Sequence, residues 1–78
     1  MKFKVGDIVK IVSPDYANPI YYKKVLNRIG IIVSADDRLS YPYNLRFIDN
    51  LGNLGVANIF CDKELIKLTK EEAAIELL

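Results

Sequence analysis

The fold of this chain is decided by the stretch from Arg28 to Asp49, RIGIIVSADDRLSYPYNLRFID. Residues 29–35 are rich in isoleucine and valine, which favour β-strands. Residues 43–49 alternate between two faces, as in a half-buried antiparallel strand, and one face carries Tyr43, Leu45 and Phe47. Gly30 weakens a strand interior, so it predicts a β-bulge or a close approach of another backbone segment. We therefore expect two strands joined by the polar segment between them.

Three further short strands are expected on either side of this stretch. Residues 8–12 are apolar on both faces of an extended chain, which is typical of a sheet that is closed or covered on both sides. Residues 50–55, NLGNLG, predict a loose hairpin that leads into a returning strand at 56–60. After a tight turn at 62–64, a last strand is expected around Ile66 and Leu68. Five short, closely spaced strands predict a small barrel, because closure removes exposed sheet edges.

The last ten residues, TKEEAAIELL, predict a C-terminal helix. Thr69 and Glu72 have the Thr-x-x-Glu spacing of a capping box, in which each residue satisfies a backbone amide of the other. The apolar side is expected to consist of Ala74, Leu77 and Leu78, with Ile75 at its margin. A helix of this length is marginal in isolation. We therefore expect it to dock, either over one open end of the barrel or against a second copy as a homodimer element.

The long connection at residues 14–28 is the candidate binding surface. Pro14 and Pro19 exclude it from a central strand, and Asn18-Pro19 can begin a short helical turn. The connection is rich in tyrosine and basic residues, and Tyr41 adds a further exposed aromatic ring. The predicted partner-binding residues are Tyr16, Tyr21, Tyr22, Lys23, Lys24, Arg28 and Tyr41. Such a surface suits a protein partner or a nucleic acid; alternatively, the tyrosines pack over the barrel end and the lysines are merely solvated.

The composition argues against catalysis. The 78 residues include no histidine, which removes the commonest acid–base group and metal ligand. Cys61 is the single cysteine, so it lacks both a disulfide partner and an activating imidazole, and we expect it to be a small buried residue. Asp36-Asp37 is expected to be a solvated turn. No catalytic residue, cofactor site or metal site is therefore predicted.

Charge and hydropathy limit the partners and the compartment. Eleven basic and ten acidic residues give a net charge of +1, whereas dedicated nucleic-acid-binding domains usually show a basic excess. A near-neutral chain also does little to oppose self-association. No apolar run approaches the length of a membrane span, and the basic start MKFK is not followed by the apolar stretch of a signal peptide. We expect a cytoplasmic protein with no membrane partner.

The chain resembles the SH3-like small β-barrels over residues 3–68. FKVGDIVKI, residues 3–11, is similar to their opening, in which a Gly-Asp turn precedes the first core strand. RIGIIV, residues 28–33, looks like their second strand. YPYNLRF, residues 41–47, and ELIKL, residues 64–68, resemble the closing half of small phage and bacterial proteins of this type. Mind-bomb-type SH3 repeats have a similar layout, and KOW-type barrels share the first half.

The resemblance implies a mainly β fold: a five-stranded SH3-like barrel, residues 1–68, with a long first loop and a short C-terminal α-helix, residues 69–78. Asn27 stands where these barrels usually have glycine, and asparagine tolerates the left-handed conformation. The Trp and the Ala-Leu-Tyr-Asp-Tyr-like segment of proline-binding SH3 domains are both missing. Classical proline-peptide binding is therefore not expected.

Three functional hypotheses follow. The first is a non-catalytic module for protein–protein interaction, for example a phage or mobile-element accessory protein that acts on a host factor. The second is a KOW-like RNA- or DNA-binding protein that uses Lys23, Lys24, Arg28 and Arg46. The third is an accessory or regulatory subunit of an enzyme, since SH3-like barrels also occur in such subunits. Fold alone does not decide between them.

Overall fold

The computed structural model describes residues 1–15, 19–49, 51 and 59–78. These residues form a mainly β structure, in which five antiparallel strands make one curled sheet, half of a barrel. The strands are β1 (Ile8–Ile11), β2 (Ile29–Ala35), β3 (Tyr43–Phe47), β4 (Ile59–Phe60) and β5 (Leu65–Lys67). The helices are α1 (Pro19–Val25) and α2 (Lys70–Glu76), and a 3₁₀ turn spans Asp62–Glu64.

The strand order is β4-β3-β2-β1-β5, so the first strand lies between the second and the last. The strands predicted at 8–12, 29–35 and 43–49 are confirmed to within two residues at their ends. Of the predicted returning strand, Ile59 and Phe60 are described and lie in β4. The predicted hairpin at 50–55 lies, except for Leu51, outside the described residues.

Gly30 lies in β2 close to the backbone of β3. It is paired with Phe47, and a Cβ atom at this position would stand 3.1 Å from the Arg46 carbonyl oxygen and 3.3 Å from the Leu45 Cβ. The predicted close approach is therefore confirmed. The irregularity in the register of this strand pair falls between Ile32 and Ser34 instead, further along the strand.

Two turn residues, Gly6 and Asn27, have a positive φ, and the sequence predicted a turn at the first and tolerance of this backbone at the second. Gly6 has a φ of 94° and donates its amide hydrogen to the Ile32 carbonyl oxygen at 2.9 Å, which ties the Gly-Asp turn to β2. Asn27 has a φ of 66° and donates to the Ile11 carbonyl oxygen at 2.8 Å. Asparagine thus replaces glycine at little cost, since its short polar side chain tolerates this conformation.

The main core is one cluster of buried residues. Its buried members come from all five strands, the N-terminal segment and α1, and they are Phe3, Val9, Ile11, Val25, Ile32, Tyr43, Leu45, Phe60 and Leu65. The alternation predicted for β3 is confirmed, since Tyr43 and Leu45 are buried whereas Asn44 and Arg46 are exposed. The Tyr43 hydroxyl accepts a hydrogen bond from the Phe3 amide at 3.1 Å and donates one to Asp62.

Helix α2 docks on the sheet through a second, smaller cluster of Ile29, Leu68 and Ala73. The predicted capping box is confirmed: Glu72 N donates to Thr69 Oγ1 at 3.1 Å, and Thr69 N donates to Glu72 Oε1 at 2.9 Å.

The predicted apolar side of this helix is wrong. Ala73 is the buried residue, at 4% exposure, whereas Ala74, Ile75, Leu77 and Leu78 are exposed. At the C-terminal end of the helix, an ion pair of 3.1 Å between Lys10 Nζ and Glu76 Oε1 joins α2 to β1. The rotation of the helix thus follows from contacts with the sheet rather than from its own most apolar face.

Candidate functional site

Helix α1 presents four of the predicted partner-binding residues at the surface. Tyr21 and Tyr22 are each 37% exposed, and Lys23 and Lys24 are exposed as well. The Lys24 ammonium lies 5.8 Å from the centre of the Tyr21 ring, a cation–π distance. Val25 at the end of the helix is fully buried and anchors α1 to the core. Tyr16 lies outside the described residues.

Arg28 does not belong to this surface, contrary to the prediction. Its side chain is 4% exposed, and its Nε atom donates to Asp49 Oδ2 at 2.6 Å. The centre of its guanidinium lies 4.1 Å from the centre of the Phe47 ring. The reason is the antiparallel pairing of β2 with β3. It brings Asp49, which follows the end of β3, beside Arg28, which precedes the start of β2. We therefore assign Arg28 to the interior of the fold.

Asp49 is held ionised by this arrangement. Burial alone raises the pKa of its carboxyl, but hydrogen bonds from Arg28 and from the amides of Ile29 and Leu51 outweigh that effect. The net result is a pKa below the ordinary value for aspartate. A charged carboxylate therefore faces the buried guanidinium at neutral pH, as a buried ion pair requires.

Tyr41 belongs to a groove beside the loop that joins β2 and β3. Two cavities of about 640 Å³ and 410 Å³ adjoin there and share part of their lining, namely Met1, Asp37, Leu39 and Pro42. The larger cavity is also lined by Tyr41 and Ile59, and the smaller by Cys61, Asp62 and Lys63. Large apolar side chains are exposed on this surface, with Met1 at 65%, Leu39 at 56% and Ile59 at 46%.

The loop beside the groove is held in shape by its own hydrogen bonds. Arg38 donates from Nε and Nη2 to the two oxygens of Asp36, at 2.9 and 2.8 Å, and this fork lowers the pKa of Asp36. The Asp36 amide donates to the Pro42 carbonyl oxygen at 3.0 Å, and the Leu39 amide donates to the Asp36 carbonyl oxygen at 3.2 Å. These hydrogen bonds shape the loop in the absence of a partner, which lowers the entropic cost of ordering it on binding.

Asp15 connects the groove with the segment that precedes α1. Its carboxylate accepts a hydrogen bond from the Tyr41 hydroxyl at 2.9 Å and lies 3.6 Å from the Lys63 ammonium. The hydrogen bond to Asp15 raises the pKa of Tyr41. The Asp15 amide in turn donates to Glu64 Oε2 at 2.7 Å. Three segments distant in sequence thus meet at one edge of the groove.

Glu64 is the buried acid that organises this edge. It is 2% exposed, and its second carboxylate oxygen accepts a hydrogen bond from the Cys61 amide at 2.9 Å. Burial first, and then the neighbouring Glu64, raise the pKa of the Cys61 thiol. A thiol held protonated is a poor nucleophile. Cys61 is half-buried, so it is more accessible than the sequence predicted.

Sequence reasoning missed most of the groove. Met1, Leu39 and Ile59 lie in three segments that are far apart along the chain, and their proximity follows from the sheet. One signal was available: Leu39 is an isolated large apolar residue within the polar segment DDRLSYP. Such a residue in a solvated loop either packs inward or forms part of a binding surface.

Comparison of this chain with protein-family models, with curated proteins and with solved structures found no match. The described part of the chain holds no group of three or more acidic or cysteine side chains arranged to bind a metal ion. Among the described residues, no helix has the length and apolar character needed to cross a membrane.

Proposed function

We propose that this chain is a non-catalytic SH3-like barrel that binds a protein partner, and that an extended segment of the partner lies in the groove between the β2–β3 loop and the 3₁₀ turn. The observation that carries the proposal is the groove with exposed Met1, Leu39, Tyr41 and Ile59. Concave apolar surfaces with a few polar groups at their edges are the usual form of binding sites.

The SH3-like assignment is supported by strand order as well as by sequence. The first strand pairs with both the second and the last strand, so the two ends of the barrel segment meet in one sheet. The Gly-Asp turn stands directly before β1, and the long first connection, residues 12–28, contains a short helix. These features agree with the layout that the resemblance implies.

The charges beside the groove favour a partner segment that is apolar and basic. Asp37 and Asp62 line the groove together with the Asp36–Arg38 pair, in which the charges compensate each other. Lys63 is similarly placed beside Asp15. Asp37 and Asp62 are therefore the carboxylates that a basic residue in the partner would meet. The same carboxylates repel phosphate, and the burial of Arg28 removes one of the four cations that the KOW-like hypothesis assigned to phosphate contacts.

The test is affinity selection from a random peptide library displayed on phage, with the purified chain as bait. We expect enriched peptides that combine large apolar residues with lysine or arginine. Their affinity is then measured by fluorescence anisotropy for the wild-type chain and for Leu39→Glu. Losing one buried leucine contact and adding a charge should weaken binding by about tenfold or more.

The matched control is Val5→Glu, because Val5 is 61% exposed, close to the 56% of Leu39, and lies outside the groove. This variant should bind as the wild type does. Absence of any enriched peptide, or equal affinity for the wild type and Leu39→Glu, would contradict the proposal. A mobility shift of single-stranded RNA or DNA at low salt that disappears as salt is raised would instead favour the nucleic-acid hypothesis.

A further inference from the structure

The two short helices present surfaces of opposite character. Helix α1 carries Lys23 and Lys24 and no acidic residue, and its exposed apolar residues are Ile20, at 63%, and the two tyrosines. Helix α2 begins with the exposed Lys70, but its acidic residues Glu71, Glu72 and Glu76 outnumber that one cation, and the exposed Ile75 lies one turn after Glu71. One surface is thus aromatic and basic, and the other is aliphatic and acidic.

The C-terminal segment exposes more apolar surface than its docking on the sheet explains. Its buried residue is Ala73, whose side chain is a single methyl group. Ile75 is 70% exposed, Leu77 is 40% exposed and Leu78 is fully exposed. Three large aliphatic side chains at the end of an acidic helix form a surface that gains free energy when another apolar surface covers it.

We propose that this chain associates with a second copy of itself, with the C-terminal segment of one copy seated against α1 of the other. The aliphatic side chains would pack on Ile20, while Glu71 approaches Lys23 and Lys24. The two lysines lie three and four residues after Ile20 and therefore on the same face of α1. A net charge of +1 opposes this association little. In a two-fold dimer each copy supplies both surfaces, so the contact is made twice. The proposal concerns the two helices and does not depend on a ligand in the groove.

Analytical ultracentrifugation of the full chain over a range of concentrations tests the proposal. We expect reversible association that weakens as salt is raised, because the opposed charges are exposed. Ile75→Asp should raise the dissociation constant by about tenfold or more, since it places a charge where an apolar side chain is covered. Val5→Asp is the control, because Val5 is 61% exposed and lies outside both helices, and it should associate as the wild type does.

Charge reversal then identifies the paired surfaces. Lys23→Glu with Lys24→Glu should weaken association, and so should Glu71→Lys. The chain that carries all three substitutions should recover association, because the attraction is restored with its sign reversed. Glu72 and Glu76 are left unchanged, since they hold the helix cap and the ion pair with Lys10.

A chain that stays monomeric up to millimolar concentration would overturn the proposal. So would association that Ile75→Asp leaves unchanged, or a triple variant that fails to recover although circular dichroism shows it folded. Peptide binding in the groove is measured separately at concentrations where the wild type is monomeric. Failure of one proposal is therefore distinguishable from failure of the other.

Discussion

Replacing Asp49 by asparagine should destabilise this protein more than any exchange of a surface charge. The Asp49 carboxylate is 2.6 Å from Arg28 Nε, and the two side chains are 9% and 4% exposed, so water can replace little of the lost interaction. Breaking a buried ion pair by removing one partner typically costs about 3–5 kcal/mol, because the other charge remains buried. Asparagine retains an oxygen that can accept from the Ile29 amide, so the substitution mainly removes the charge–charge attraction with Arg28.

The predicted loss is large compared with the stability of so small a domain. At about 0.05–0.15 kcal/mol per residue, a chain of this length has a free energy of unfolding of about 4–12 kcal/mol. Asp49→Asn should therefore remove at least about a quarter of the free energy of unfolding, and at the lower end of that range it should leave the chain largely unfolded. Each 1 kcal/mol corresponds to about 4–8 °C in melting temperature for a domain of this size.

The effect should also depend on pH, with a definite sign. The folded pKa of Asp49 is lowered, so its contribution to stability is fully present above the unfolded pKa of about 3.9 and is lost as pH falls through the folded pKa. The difference in stability between the wild type and Asp49→Asn should be constant near neutral pH and should shrink below about pH 4.

Urea unfolding followed by circular dichroism measures these differences. Asp36→Asn is the control, because the Asp36–Arg38 pair has a similar distance of 2.8 Å but an Arg side chain that is 84% exposed. It should leave the urea midpoint almost unchanged, because solvent screens an exposed ion pair. Arg28→Met combined with Asp49→Asn should cost clearly less than the two single changes added together. A loss below about 1 kcal/mol for Asp49→Asn would refute the assignment of a buried, energetically coupled pair.

Two further substitutions test the packing of the sheet by urea unfolding. Gly30→Ala should cost about 1–3 kcal/mol, because the new methyl group would stand 3.1 Å from the Arg46 carbonyl oxygen and backbone cannot easily move aside; a neutral effect would mean that β2 and β3 are less closely spaced than observed. Tyr43→Phe should cost about 1–3 kcal/mol, because the buried Phe3 amide loses its acceptor; an unchanged midpoint would show that another group or water satisfies that amide.

Much of the local structure was predictable because its causes act over a few residues. Alternation of side chains along an extended strand places Tyr43 and Leu45 on one face of β3, independently of tertiary contacts. The Thr69–Glu72 capping box begins α2 through hydrogen bonds between residues three apart. The Gly6 turn and the left-handed Asn27 follow from the conformational tolerance of those residue types.

The candidate site was predictable only in part. The sequence left open whether Tyr21 and Tyr22 are exposed or packed over the barrel end, and the structure shows both of them exposed, as are Lys23 and Lys24. It did not indicate the groove, whose lining comes from the N-terminus, the β2–β3 loop, β4 and the 3₁₀ turn. Residue 1, residues 34–44 and residues 59–63 are three stretches far apart along the chain, and only the pairing of the strands brings them together.

By itself, therefore, the sequence determined the period of each strand, the turns and the start of the C-terminal helix. Tertiary structure alone decided that Arg28 is buried against Asp49, 21 residues away, and that Ala73 rather than Leu77 faces the sheet. The physical reason is the range of the interactions involved. Steric limits on the backbone and helix caps act between near neighbours, whereas the burial of a charge or of a helix face depends on what distant segments place opposite it.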